Sequence, residues 1–217
     1  MNLLAIDTSS PACSVAVSHG DATRAAHRED GQMASRAVIG MIDALLAELE
    51  LRPGELTAIA IGSGPGSFTG VRLGVSVAQG LGFALDKPLV PISSLAAVAQ
   101  RAFTVSDRDQ ALVAQDARMG ELYVGRYRRG DDGLAVEETP DRLIAPTDLT
   151  IAADVALAGD AWQRLPALSA RIDEASIVAC WPQAIDVLVL ARAAVARGDT
   201  VSAENAGARY LRDSVVR

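Results

Sequence analysis

The chain has 217 residues, 50% of them apolar but only 4% aromatic, and a formal net charge of −7 at pH 7. That is enough for one large domain or two small ones around a core of Ala, Val, Leu and Ile, and the acidic balance disfavours direct binding to a phosphate backbone. The two cysteines, Cys13 and Cys180, are too far apart for a disulfide framework or a metal motif and read as small core residues in a reducing compartment.

Met1–Asp7 has no basic leader and meets an acid at once, so it reads as a strand rather than a signal peptide. No apolar run reaches the length of a membrane span, and the expectation is a cytoplasmic protein without a membrane role. The short apolar run Leu3–Ile6 ends in the turn Asp7-Thr8-Ser9-Ser10-Pro11. Cys13–Val17 alternates, His19-Gly20-Asp21 is a hairpin signal, and Ala22–Arg28 gives a third strand. Val38, Ile42, Leu45, Leu46 and Leu49 keep a helical period across Met33–Leu51, which Pro53-Gly54 stops.

Ala58–Ile61 reads as a buried strand. It runs into Gly62-Ser63-Gly64-Pro65-Gly66-Ser67-Phe68-Thr69-Gly70-Val71-Arg72, and a helix is predicted over Phe68–Leu85 until Asp86-Lys87-Pro88 breaks it. A short strand at Leu89–Ile92 precedes a helix capped by Ser93 or Ser94.

In the second half, the apolar run Ala111–Gln115 ends in Asp116-Ala117-Arg118-Met119-Gly120. Glu121–Arg128 alternates as a strand, Gly130-Asp131-Asp132-Gly133 turns, and Leu134–Glu138 returns. A strand at Val155–Ala158 and a helix over Ala184–Ala196, stopped by Gly198, complete the set. Each half therefore opens with a strand that ends in an aspartate turn and continues into hairpin strands. This echo suggests a duplicated unit, and the mixed order predicts two α/β lobes. They are placed at 1–104 and 105–217, with the final helix free to pack back on the first lobe.

The glycine turn lacks the lysine of a triphosphate-binding loop and fails the spacing of a dinucleotide fingerprint. Three readings stand: a helix cap with Ser67 as N-cap, a surface shaped for a partner, or an anion receptor. In the helix that follows, Gly70, Gly74, Ala78 and Gly82 recur every four residues. Each glycine costs about 1 kcal/mol against alanine, which close packing must offset, either on the chain's own sheet or against a helix of another subunit. Asp7 can accept hydrogen bonds within its own turn, and Asp116 can pair with Arg118. His19 and His27 lack metal-ligand spacing, and Ser63 and Ser67 do not sit in a nucleophile elbow. Arg126-Tyr127-Arg128-Arg129 reads as a solvated strand edge.

Ala5-Ile6-Asp7-Thr8-Ser9, Gly64-Pro65-Gly66-Ser67-Phe68-Thr69-Gly70-Val71-Arg72-Leu73-Gly74, Asp116-Ala117-Arg118-Met119-Gly120-Glu121-Leu122-Tyr123 and Tyr210-Leu211-Arg212 follow one another in the order seen in the TsaB family, also called YeaZ. The chain resembles that family over nearly its whole length, and the G-P-G-S-F-T-G-V-R block is the most specific part. TsaB proteins are the dimerisation subunits of the bacterial machinery that makes N6-threonylcarbamoyladenosine at the tRNA adenosine beside the anticodon.

The resemblance implies an α/β fold of two RNase H-like lobes, as in the actin, sugar-kinase and Hsp70 superfamily. It implies a non-catalytic subunit with no cofactor or metal of its own, ATP and metal being held by partner subunits. The implied partners are TsaD, in a heterodimer, and TsaE. The chain would form a homodimer when alone and reach tRNA only through the complex. Helices 33–51 and 68–85 would pack against the equivalent pair of TsaD through Gly40, Met41, Gly70, Gly74, Val77, Ala78 and Leu81.

The chain departs from the family pattern at Ala34, where histidine is common, and at Gly40 and Ala208, where proline is common. The rival reading is an ATP-dependent actin-like kinase acting alone through Asp7 and Asp116. Against it, the loop after Thr8 lacks the glycine that lets backbone amides close on phosphate.

Overall fold

Every residue of Leu3–Asp7 (β1) is buried, because this strand lies at the centre of a five-stranded sheet and is covered on both faces. A strand so placed reads as a continuous apolar run rather than an alternating one. The computed structural model describes residues 1–29, 34–170, 172, 177–179 and 181–212. Met33 and Cys180, both read above, lie outside the described residues, whereas Cys13 is buried as expected.

The first sheet runs β3-β2-β1-β4-β5, with β2 at Cys13–His19, β3 at Ala22–Arg28, β4 at Ala58–Gly62 and β5 at Leu89–Ile92. β1, β2 and β3 pair antiparallel, and β4 and β5 continue parallel to β1. Side chains alternate across the sheet. On one face Leu4, Ile6, Val15, Val17, Ile59 and Ile61 share a core with two helices. Helix α1 (Ala34–Glu48) contributes Val38, Met41, Ile42 and Leu45, and helix α2 (Phe68–Leu85) contributes Val71, Val75 and Ala78.

A third helix packs on β1, β2 and β4 from the opposite face. This is Ala184–Arg197, numbered α6 in chain order. Ser14, which alternates with the core-facing Cys13 and Val15, points to that face, and its Oγ accepts a hydrogen bond from the Ala184 amide at 2.8 Å. The interaction satisfies one of the first-turn amides that a helix cannot bond internally.

The second sheet repeats the plan in the order β8-β7-β6-β9-β10. Its strands are β6 (Gln110–Asp116), β7 (Leu122–Arg129), β8 (Ala135–Ile144), β9 (Ala156–Ala158) and β10 (Ile177–Ala179). β6, β7 and β8 are antiparallel, and β9 and β10 run parallel to β6. Helix α3 (Ser94–Val105) covers one face through Leu95, Val98, Ala102 and Phe103. The short helices α4 (Ala161–Arg164) and α5 (Pro166–Ser169) cover the other, around Trp162 and Leu168.

The first unit comprises Met1–Ser94 with Pro182–Arg209, and the second comprises Leu95–Trp181 with the segment from Tyr210 onward. The division drawn after residue 104 falls inside α3. The helix carries its apolar side into the second core, so the chain changes units where the helix begins.

Three further expectations are corrected. Arg126–Arg129 is not an edge, because β7 lies between β6 and β8. Tyr127 is buried there, its hydroxyl donating to Asp141 at 2.6 Å, and Arg129 pairs with Asp109 at 3.3 Å. The edge strand beside it is β8, with β10 at the opposite edge; β8 runs past Glu138 to Ile144 and contains Pro140, a residue that edge strands tolerate. Finally, α2 is long and apolar enough to pass for a membrane span by length and composition. Val71, Gly74, Val75, Ala78 and Gly82 are nevertheless buried against the fold.

Candidate functional site

The aspartate turn after β1 and the glycine-rich segment before α2 form a single structure. Asp7 Oδ1 accepts hydrogen bonds from the Ser9 amide (2.9 Å) and the Ser9 hydroxyl (2.8 Å). Oδ2 accepts from the Ser94 hydroxyl at 3.1 Å. Ser94 Oγ in turn accepts from the Gly64 amide (3.2 Å), and the Ser94 amide donates to the Gly64 carbonyl (2.9 Å). One buried carboxylate thus joins the end of β1, the glycine turn and the start of α3. Burial pushes the Asp7 carboxyl above its ordinary range, and the donors from Ser9 and Ser94 pull it partly back.

The glycines are spaced to fit this turn. A Cβ at Gly62 would fall inside the Asp7 carboxylate, one at Gly66 against the Ser9 carbonyl, and one at Gly70 against the Thr8 carbonyl. A Cβ at Gly74 would stand 2.7 Å from Thr8 Oγ1 and 2.9 Å from Ile61 Cδ1. The close approach is tied down by hydrogen bonds from the Ser67 amide to the Ser9 carbonyl (2.6 Å) and from the Thr8 hydroxyl to the Gly70 carbonyl (2.7 Å). Ser67 caps α2 as expected, its Oγ accepting from the Gly70 amide at 3.3 Å.

Gly70, Gly74 and Ala78 therefore face their own chain, and so does Met41, which lies in the core beneath α1. Val77 and Leu81 are half-buried at the margin of that core, and Gly40 is exposed with open space around it. Of the two readings that the sequence left open for the stripe, packing on the chain's own strands and turn is the one found. The recurrence at 62, 66, 70 and 74 was its signal, because it continues the stripe back into the turn.

The outward side of α2 carries Phe68, Arg72, Ser76, Gly80 and Phe83. Phe68 is 46% exposed and Phe83 62%, and the Arg72 guanidinium lies over the Phe68 ring at 3.6 Å. Among the described side chains of α1, Ile39 is the large apolar one left exposed.

The other candidates have local roles. Asp116 ends β6 as Asp7 ends β1, and it accepts from the Arg118 amide (2.8 Å) and pairs with the Arg118 side chain (3.2 Å). Its own amide donates to Asp160 (3.1 Å), whose carboxyl burial pushes up and which pairs with Arg164. Ser63 donates to the Ile92 carbonyl at 3.0 Å. His19 Nδ1 lies 3.1 Å from the Leu49 carbonyl, and His27 Nε2 lies 3.4 Å from Glu29. Asp7 is 1% exposed, with Oδ1 accepting twice from Ser9 and Oδ2 once from Ser94, so its carboxylate is buried and held by its own chain.

Comparison with known proteins agrees with the motif order. The family described as TsaD, tRNA N6-adenosine threonylcarbamoyltransferase, matches residues 30–173. The tRNA threonylcarbamoyladenosine biosynthesis protein TsaB of Escherichia coli is 34% identical over 99% of this chain and 96% of its own length. The Bacillus subtilis protein of the same name is 33% identical over 68% of this chain and 64% of its own. Among solved structures, YeaZ from Pseudomonas aeruginosa superposes with a TM-score of 0.87 at 35% identity, covering 97% of this chain and 99% of that one. Two five-stranded mixed sheets of the same strand order, each flanked by helices, are the fold implied for the actin, sugar-kinase and Hsp70 superfamily. With the glycine block seated on the aspartate turn and relatives matched along almost its entire length, this chain belongs to the TsaB family of tRNA threonylcarbamoyladenosine biosynthesis proteins.

Proposed function

We propose that this chain is the non-catalytic subunit of a tRNA threonylcarbamoyl-transferring complex, that it binds TsaD as a heterodimer, and that it supports TsaE. The observation that carries the reading is the outward face of α2. This is an apolar helix whose inner residues are locked to the aspartate turn while Phe68 and Phe83 stand exposed. Phe68 and Phe83 stand about 22 Å apart along the helix, fifteen residues at about 1.5 Å each, so each would anchor one end of a contact that runs the length of α2. Ile39 and Gly40 of α1 are also exposed, and Val77 and Leu81 of α2 are half-buried. Gly70, Gly74, Ala78 and Met41 act from beneath, by fixing the height and direction of the helices.

In this reading the helix pair meets the equivalent pair of TsaD in the cytoplasm, or a second copy of this chain when TsaD is absent. ATP and metal belong to the partner subunits, and tRNA is reached only through the complex. The test is threonylcarbamoyl transfer to tRNA by TsaD and TsaE, with ATP and preformed threonylcarbamoyl-adenylate, in the presence and absence of this chain. Transfer that depends on the chain, with no ATP turnover by the chain alone, is the expected result. Turnover by the isolated chain without any effect on transfer would overturn it.

A further inference from the structure

Two motifs singled out in the sequence, Asp116–Glu121 and Tyr210-Leu211-Arg212, play no part in the function proposed above, and the structure joins them within the second unit. The loop between β6 and β7 is closed by the Ala117 amide donating to the Glu121 carbonyl (3.0 Å) and the Glu121 amide donating to the Arg118 carbonyl (3.1 Å). Its three central residues are all left-handed, with φ of 63° at Arg118, 56° at Met119 and 77° at Gly120. Gly120 adopts that conformation freely. Arg118 and Met119 do not, and two consecutive non-glycine residues in it persist only where surroundings over-determine them.

Asp116 supplies part of the surroundings, its carboxylate accepting from the Arg118 amide at 2.8 Å, and Arg212 supplies the contacts to the rest of the loop. Its Nη2 pairs with Glu121 at 2.7 Å and donates to the Ala117 carbonyl at 3.1 Å, and its Nη1 lies against Met119 Sδ. These contacts reach the base of the loop on both sides and its tip. The Arg212 side chain is only 15% exposed, although it comes from a segment without regular secondary structure. Met119 is 68% exposed despite its contact with Arg212.

We propose that Arg212 is a clamp, carried on the C-terminal segment, that holds the Arg118–Gly120 turn in its left-handed form and so presents Arg118 and Met119 outward. The planar guanidinium suits this task because one group can donate in several fixed directions at once, which a lysine ammonium on a flexible stem does less well. The clamp is conditional, since whatever displaces the segment at Arg212 also frees the turn.

The experiment uses the full chain labelled at the methionine methyls, of which there are four, Met1, Met33, Met41 and Met119. Met119 reports on the turn, and Met41, buried in the first unit's core, is the control. Arg212→Ala should shift and sharpen the Met119 methyl resonance, leave Met41 in place, and raise amide exchange at Ala117 and Glu121 roughly tenfold. Arg212→Lys should recover the Glu121 pairing and return the signals part of the way, and Glu121→Gln should loosen the turn without removing the contact to sulfur. A Met119 resonance and loop exchange unchanged in Arg212→Ala would overturn the proposal. Loss of protection spread equally across β6, β7 and Met41 would also overturn it, because that is general destabilisation and not release of a clamp.

Discussion

Asp7 occupies the space where a side chain of Gly62 would be. The two residues end neighbouring parallel strands, and the carboxylate on β1 turns into the position of the missing Cβ on β4. Gly62→Ala must therefore displace either the strand end or the carboxylate with its bonds to Ser9 and Ser94. The expected loss is about 3 kcal/mol or more, from overpacking together with a disrupted buried polar network. Chemical denaturation measures it. A variant within about 0.5 kcal/mol of the parent would mean the turn can shift to make room.

Asp7 also sets a pH dependence with a definite sign. Burial raises its carboxyl above the ordinary carboxylate range, so the folded protein holds this proton more tightly than the unfolded chain. The stabilisation is complete below the unfolded value, ~3.9, and is lost as pH rises through the higher folded value. Asp160, raised chiefly by burial as well, acts in the same direction. Asp7→Asn cannot ionise, and its amide can still accept from Ser9 and donate to Ser94 Oγ. The variant's stability should fall less than the parent's as pH rises above the ordinary carboxylate range, as followed by denaturant midpoints at successive pH values. An unchanged slope would assign the dependence to other groups.

Within α2, one type of substitution should have opposite signs at two positions. Gly80 has open space around it, whereas Gly74 lies against Thr8 and Ile61. Gly80→Ala should raise stability by up to about 1 kcal/mol through helix propensity, and Gly74→Ala should lower it. Gly74→Leu is thus expected to harm the fold itself, and a partner-binding defect in that variant would not identify the interface.

The outward positions give the cleaner interface test. Phe83→Asp and Ser76→Arg should leave the thermal midpoint of the isolated chain nearly unchanged, because both side chains are exposed. Each should weaken binding to TsaD by about tenfold or more, the penalty of placing a charge in an apolar contact. Calorimetric titration with TsaD reads the effect. Wild-type affinity in both variants would remove the outward face of α2 from the interface.

Replacing Ser14 by Ala removes the acceptor for the Ala184 amide. The cost should be about 1–2 kcal/mol, visible as faster amide exchange through the first turn of α6 ahead of the rest of the helix.

Most of the architecture was legible in the sequence wherever a local rule agrees with the tertiary answer. Helix α2 begins and ends at Phe68 and Leu85 as predicted, because Ser67 supplies a cap and Asp86-Lys87-Pro88 a stop. The duplicated plan showed itself in the two aspartate turns, and the two sheets share one strand order. The short elements β10, α4 and α5 were not read in the sequence; at three or four residues there is no period, and β5 and β9, equally short, were read from their apolar runs and the turn residues beside them. The basic cluster at Arg126–Arg129 misled because charge is ordinarily a sign of an edge. Here Arg129 points its charge at Asp109 and two backbone carbonyls within the fold. The roles of the glycines needed the structure, because spacing alone does not say whose backbone fills the space a Cβ would take.

The return of Pro182–Arg209 to the first unit has a consequence for how the chain is made. Synthesis proceeds from the amino end, so all five strands of the first sheet exist before α6 is available to cover the face that Ser14 marks. While the ribosome adds Leu95–Trp181, that face, including the wholly buried Leu3, Ala5 and Ala60 of the finished protein, has no helix against it. The nascent first unit is a natural client for a chaperone during that interval, and a truncation before Pro182 should be recovered in aggregates while the full chain is recovered in solution.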